Sequence, residues 1–146
     1  MSVFAYKKQF LSLTSPKSIP TGQFQIQWLG PKWFQWLAKT GLQFLHFRNW
    51  WGKSFHGQSE AINLFQKPGE SHLEKKFKML VSMETSPIDG KTSLFLRYTK
   101  DAPFPWPYFV DEFRVLKDGE LLGMSYPRFL PSFALPFLIQ NRSVGL

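Results

Sequence analysis

The chain reads as mainly β: an antiparallel meander closed into a barrel, with one amphipathic, aromatic-rich helix near the N-terminus. Three observations predict this. Short segments through most of the chain alternate apolar and polar side chains at period 2. Tight turns separate them, two carrying Asp-Gly, at Asp89-Gly90 and Asp118-Gly119. One window alone, 32–47, keeps the helical i, i+3, i+4 spacing. Consecutive antiparallel strands in this number point to a closed or nearly closed barrel.

Residues 1–22 end in the turn-like SPKSIPTG, and Val3–Leu13 reads as a short strand or a loose arm. In Gln23–Leu29, Phe24, Ile26 and Trp28 alternate with glutamines, the pattern of a half-buried strand, until Gly30-Pro31 breaks it. Pro31 suits a helix start. From Lys32 to Phe47 an apolar stripe of Trp33, Trp36, Leu37, Gly41, Phe44 and Leu45 faces away from Lys32, Gln35, Lys39, Thr40 and Gln43. Phe34 and Phe47 spill outside that stripe, so the helix is apolar over more of its girth than one contact needs. Gly41 weakens it by about 1 kcal/mol relative to alanine.

Asn49–Gly57 reads as a turn entering a strand, and Ser59–Phe65 as short and mixed. His72–Glu84 places Phe77, Met79, Val81 and Met83 at period 2, and Thr92–Thr99 turns Leu94 and Leu96 one way and Phe95 and Arg97 the other. Tyr108–Leu116, Glu120–Tyr126 and Phe137–Arg142 complete the strands. The loop Pro127–Phe137 is long, Pro-broken and apolar, where a solvated loop would be polar; it is expected to cover a core, plug a barrel mouth, or touch a membrane or ligand.

At 146 residues the chain fits one domain, 1–146, with 1–22 as an N-terminal arm. The absence of cysteine excludes disulfides, thiolate nucleophiles and thiolate metal sites, and fits a reducing compartment. The net charge is +8, and the excess is N-terminal: no carboxylate precedes Glu60, while seven Lys/Arg do. The first twenty residues lack the arginines and the amphipathic helix of a transit peptide, and no apolar run reaches the length of a membrane span. The expected location is cytoplasmic, with a peripheral membrane contact as a further option.

Two groups of motifs resemble a known family. Trp50-Trp-Gly-Lys-Ser-Phe55 precedes the meander; Asp111-Glu-Phe-Arg114 is followed by Asp118-Gly-Glu-Leu-Leu-Gly-Met-Ser125 and by Phe137-Leu-Ile-Gln-Asn-Arg142. Their order resembles small lipocalin-like (calycin) β-barrel domains of bacteria, over about residues 48–142. The Gly-x-Trp-x-Gly segment found with some of them is missing here. The resemblance implies a lipocalin-like barrel with an apolar interior, and no particular reaction.

Asp111 shares a strand face with Phe109 and Phe113, a costly place for a carboxylate unless it is paired, and Arg97 on a neighbouring strand is the expected partner. The plainest reading is an ion pair closing the barrel wall; behind it stand a polar anchor for a ligand head group and a general acid/base. His46, His56 and His72 fit no metal signature, and no G-x-S-x-G, P-loop or dinucleotide fingerprint occurs, so neither metal nor cofactor is expected.

Residues 28–55 hold five of the six tryptophans and no carboxylate, which narrows the partner to something apolar, stacked or anionic. The expected function is binding of a small hydrophobic molecule (fatty acid, isoprenoid, pigment or similar) in the barrel. The residues expected to line the site are Trp33, Trp36, Trp50, Trp51, Phe77, Arg97, Tyr108, Asp111 and Phe113. One alternative is an isomerase- or cyclase-like enzyme using the same cavity, with Asp111, Arg97, Tyr108 or Tyr126 as polar groups. Another is a peripheral module that sets the aromatic helix, with Lys32, Lys39 and Arg48, on an anionic membrane surface. Nucleic acid ranks below membrane, because the aromatics follow a helical period and are not interleaved with Lys/Arg on a strand face.

Overall fold

The computed structural model describes residues 2–142. Eight strands form a closed antiparallel barrel: β1 (Gly22–Gln27), β2 (Trp50–His56), β3 (Glu60–Phe65), β4 (Glu74–Thr85), β5 (Thr92–Tyr98), β6 (Phe109–Lys117), β7 (Glu120–Pro127) and β8 (Leu135–Asn141). Each strand pairs with the next, and β8 closes on β1 through Phe24 opposite Asn141 and Ile26 opposite Ile139. The period-2 pattern explains which faces turn inward. Phe24, Ile26, Phe55, Ala61, Met79, Val81, Leu94, Leu96, Phe113, Leu121, Phe137 and Ile139 form one buried interior cluster. Leu94 and Leu96 therefore point in, while Phe95 and Arg97 point out, as their alternation requires.

Two glycines permit close approaches that a side chain would block. A Cβ on Gly52 would stand 1.9 Å from the Phe24 carbonyl oxygen, beside the register shift that bends the start of β2. A Cβ on Gly123 would meet the Phe113 ring at 2.6 Å and the Phe137 ring at 2.9 Å, so these two rings fill the space that Gly123 leaves.

The helix of residues 32–47 forms as α2 (Lys32–Phe44), three residues shorter than its sequence pattern. Residues 3–13 correct the expectation of a strand or loose arm: Val3–Ser12 is a helix, α1, capped by the Ser2 side chain, which accepts from the Ala5 amide. It lies on the outside of the barrel. Phe10 is buried against Phe95, Val110, Leu122, Met124 and Tyr126, and its carbonyl accepts from Arg114. Helix formation here depends on that distant partner, which the local sequence does not reveal.

In a meander, alternate connections share an end. The β1–β2 connection carrying α2 therefore lies with the β3–β4, β5–β6 and β7–β8 connections at one end of the barrel. The opposite end is closed by the short connections 57–59, 86–91 and 118–119.

Candidate functional site

Where the interior approaches the α2 end, its chemistry changes from aliphatic to polar and aromatic. Lys53 on β2 lies on the same strand face as Phe55 and is fully buried. Its ammonium donates to Asp111 Oδ2 at 3.1 Å and to Asn63 Oδ1 at 2.8 Å, and lies 3.2 Å from Met79 Sδ, so all three of its donors have acceptors. Asn63 in turn donates to the Phe77 carbonyl at 3.0 Å. Burial pushes the Lys53 ammonium below the ordinary lysine pKa, and the Asp111 carboxylate pulls against that shift. Burial, then the Asp111 charge, holds the Tyr98 phenol well above its usual pKa.

Above this polar layer lies a cavity of about 310 Å³. Asp111, Ser125 and Tyr98 supply its polar lining, and Trp28, Trp50, Phe47, Trp106 and Phe137 much of its apolar wall. The aromatic wall is tightly cross-braced. Phe47 lies 4.7 Å from Trp106 and 5.4 Å from Trp50 between ring centroids and stacks on Phe77 at 5.5 Å; Trp28 meets Trp50 edge-on at 5.9 Å. The Trp106 indole donates to the Leu45 carbonyl at 2.6 Å, tying the end of the helical connection to the rim.

α2 forms the roof. Phe34, Leu37, Ala38, Gly41, Leu42 and Leu45 face the cavity at i, i+3, i+4 spacing. No residue of α2 is buried, so the helix is a cover over a space and not a plug in a core. Its inward stripe is rotated from the expected one: Phe34, expected outside the stripe, faces in, and Trp33, Trp36 and Phe44, expected within it, face out. The anchors at the helix ends set this rotation. The Phe34 ring packs on Gly30, Gln35 Nε2 donates to the Gly30 carbonyl at 2.9 Å, and Leu42 packs into the Phe47–Trp106 cluster. A helix apolar over most of its girth does not choose between faces by pattern alone.

The residues expected at the site separate as follows. Trp50 and Asp111 line the cavity. Phe113 lies buried deeper in the barrel, edge-on to Phe137 at 5.3 Å, and Phe77 stands one ring removed, stacked on Phe47. Trp33 and Trp36 are exposed on the outer face of α2, and Trp51 is half-buried outside the cavity lining because the β2 irregularity re-aims that strand's start. Tyr108 sits on the rim beneath the Arg128 guanidinium, its ring 6.1 Å from Phe104.

Arg97 is not the partner of Asp111. It faces outward and forms a two-pronged ion pair with Glu84, at 2.8 and 3.2 Å. The partner is Lys53, which the sequence reading passed over although it stands two residues before the inward Phe55. Tyr126 also faces outward, donating to Glu112, with burial raising its pKa first. Of the four polar groups named for the enzyme alternative, only Asp111 lines the cavity. Trp28, Phe47, Tyr98 and Trp106 are cavity residues that sequence reasoning missed. Trp28 alternates in phase with Ile26, a usable signal; Phe47 and Trp106 lie in connections, where no periodicity reports facing. Among the described residues no three His, Asp or Glu side chains gather as a metal site, and no helix is long and apolar enough to cross a membrane.

Fold and site together define a small closed eight-stranded β-barrel with a helix-roofed cavity at one mouth. The chain is similar to a protein from Thermomonospora curvata known from its crystal structure, with a TM-score of 0.66 and 19% identity over 97% of this chain and 88% of that one. At this identity the likeness is one of fold. No protein-family model and no curated protein matches the chain.

Proposed function

We propose that this chain binds a small hydrophobic molecule in the cavity beneath α2, in the manner of a lipocalin-like barrel. The cavity itself carries the reading: about 310 Å³ of space with aromatic walls, at the lower end of the size range of small-molecule sites, open at the mouth and partly covered by a helix with no buried residue of its own. The opposite end of the interior is packed with aliphatic and phenylalanine side chains, so ligand space is confined to this mouth. An antiparallel eight-stranded up-and-down barrel has an interior just wide enough to hold one small ligand, which supports the lipocalin-like comparison.

The polar lining sharpens the ligand class. Lys53 spends its donors on Asp111, Asn63 and Met79, so the groups offered to a ligand are the Asp111 carboxylate and the Ser125 and Tyr98 hydroxyls. That set suits an apolar molecule whose inner end carries a hydroxyl, amine or amide donor. A free carboxylate buried beside Asp111 would be repelled. Isoprenoid alcohols and hydroxylated pigments therefore fit better than fatty acids bound head-in.

Native mass spectrometry of the purified chain, followed by denaturing extraction, tests the reading. The expected result is a co-purified apolar molecule of defined mass, lost from Gly41→Trp, whose new ring projects from the centre of the inward stripe into open space. An apo mass, together with no uptake of a polarity-sensitive dye that Gly41→Trp abolishes, would overturn it.

A further inference from the structure

We propose that the α2 end of the barrel docks rim-first onto an anionic lipid bilayer, so that the cavity opens toward the membrane interface. Most of the exposed large apolar side chains gather at this end; the others are Phe4 and Leu11 on α1 and Leu80 and Met83 on β4. Trp33, Trp36 and Phe44 on α2, Phe104 and Tyr108 in the β5–β6 connection, and Phe129, Leu130 and Phe133 in the β7–β8 connection lie at this end, with Leu37 and Leu135, both half-exposed, at the cavity mouth between them. Trp33 is 64% exposed, Trp36 65% and Phe44 82%. Three separate connections thus converge on one apolar surface, and the connections at the other end contribute no exposed large apolar residue.

The charge on the same end selects the occupant. Lys32, Lys39, Arg48 and Arg128 stand among these aromatics and form no salt bridge among the described residues. Lys39 lies over the Trp28 ring at 5.9 Å and Arg128 over Tyr108 at 5.3 Å, which leaves their charges free for an outside anion. No carboxylate lies on the β1–β2 or β7–β8 connection, and Glu70 and Asp101 on the other two connections of this end are matched by Lys67 and Lys100, so the end stays basic. A second copy meeting this surface face to face would bring like charges together. Tryptophan, phenylalanine and leucine interspersed with lysine and arginine are the side chains that settle at a headgroup boundary, the rings in the acyl border and the cations at the phosphates.

The proposal rests on the outside of the rim and does not need an occupied cavity. Where the cavity is occupied, it gives an apolar ligand a route between bilayer and barrel that avoids water, with α2 as the cover that moves.

The test is co-sedimentation of the full chain with vesicles of phosphatidylcholine alone and with about one-third phosphatidylserine, run beside tryptophan quenching by brominated acyl chains. Binding is expected on the anionic vesicles, with quenching, and should weaken with salt. The double variant Trp33→Ser/Trp36→Ser should partition about tenfold or more weakly on both compositions. Lys32→Glu/Lys39→Glu should lose a similar factor on anionic vesicles and little on neutral ones. These positions are exposed, so unchanged circular dichroism and melting are expected to show intact folds. Absence of binding to anionic vesicles, or binding indifferent to Trp33→Ser/Trp36→Ser, overturns the proposal. So does self-association in sedimentation velocity that the same substitutions abolish, which would make the rim a dimer interface. Gly41→Trp separates the two readings: it should lose ligand and keep vesicle binding.

Discussion

Asp111→Asn isolates the feature on which the site floor depends. It keeps the side chain's shape and leaves the Lys53 ammonium buried without its counter-ion. Removing one partner of a buried pair costs about 3–5 kcal/mol, because the remaining charge is uncompensated in a low-dielectric interior. The new amide oxygen still accepts from Lys53, which puts the expected loss near the lower end, about 3 kcal/mol. A domain of this size is stable by about 5–15 kcal/mol, so the variant should fold and its loss be measurable. With a slope of about 2 kcal/mol per molar urea, the unfolding midpoint should fall by about 1.5 M.

The pH dependence distinguishes an uncompensated lysine from simple misfit. The folded-state pKa of Lys53 lies below 10.5, its ordinary value. Between the two values the native chain binds fewer protons than the unfolded chain, so stability rises with pH across that window. Asp111 supplies the interactions that hold the folded pKa up, so its removal extends the window downward. The loss in Asp111→Asn should therefore be greatest near neutral pH and shrink as pH climbs toward 10.5. Tyr98 and Tyr126, with raised pKa values, act in the opposite sense above pH 10.0, the ordinary value for tyrosine. Both chains carry them, so comparing variant with parent at each pH cancels most of that contribution. Lys53→Met/Asp111→Leu, which removes both charges, should return to within about 1–2 kcal/mol of the parent. A loss under about 0.5 kcal/mol, or one equal at neutral and high pH, would refute the reasoning.

Three further outcomes are expected. Gly52→Ala should lose more than about 3 kcal/mol in chemical unfolding, because its Cβ would overlap the Phe24 carbonyl and backbone cannot yield as a side chain does. Gly41→Ala should gain about 0.5–1 kcal/mol, since its Cβ meets nothing within 4 Å and the helix prefers alanine. The Asp89 carboxyl is held below 3.8, its ordinary pKa, first by its hydrogen bonds from Arg114. The stability this supplies is present above that value and is lost as pH falls through the folded pKa, so Asp89→Asn should flatten the acid limb of a pH–stability profile.

Most of the barrel was legible because a half-buried strand writes its facing into period 2. Met79 and Val81, Leu94 and Leu96, and Asp111 with Phe113 all turned inward as their alternation required. Asp111 was also legible as a carboxylate in need of a partner. Its expected partner, Arg97, does not serve, because an adjacent-strand cation reaches Asp111 only if it shares the same facing. Alternation places Arg97 outside with Phe95 and Lys53 inside with Phe55. Helix α1 was illegible for a different reason: ten residues hold no local signal strong enough to outweigh the arm reading, and the contacts that favour a helix come from Arg114, 104 residues away.

The sequence by itself determined the strand count to within a few, the meander, the position of α2 and the basic, aromatic character of residues 28–55, because each depends on near neighbours or on composition. Only the tertiary structure decided which side of α2 faces the cavity, that Trp33 and Trp36 point to solvent, that Lys53 neutralises Asp111, and that Phe47 and Trp106 complete the wall. Those outcomes depend on closing the barrel. Closure brings β2 and β6 across the interior from each other and draws three distant connections to one rim, and no local periodicity encodes a distance across a closed sheet.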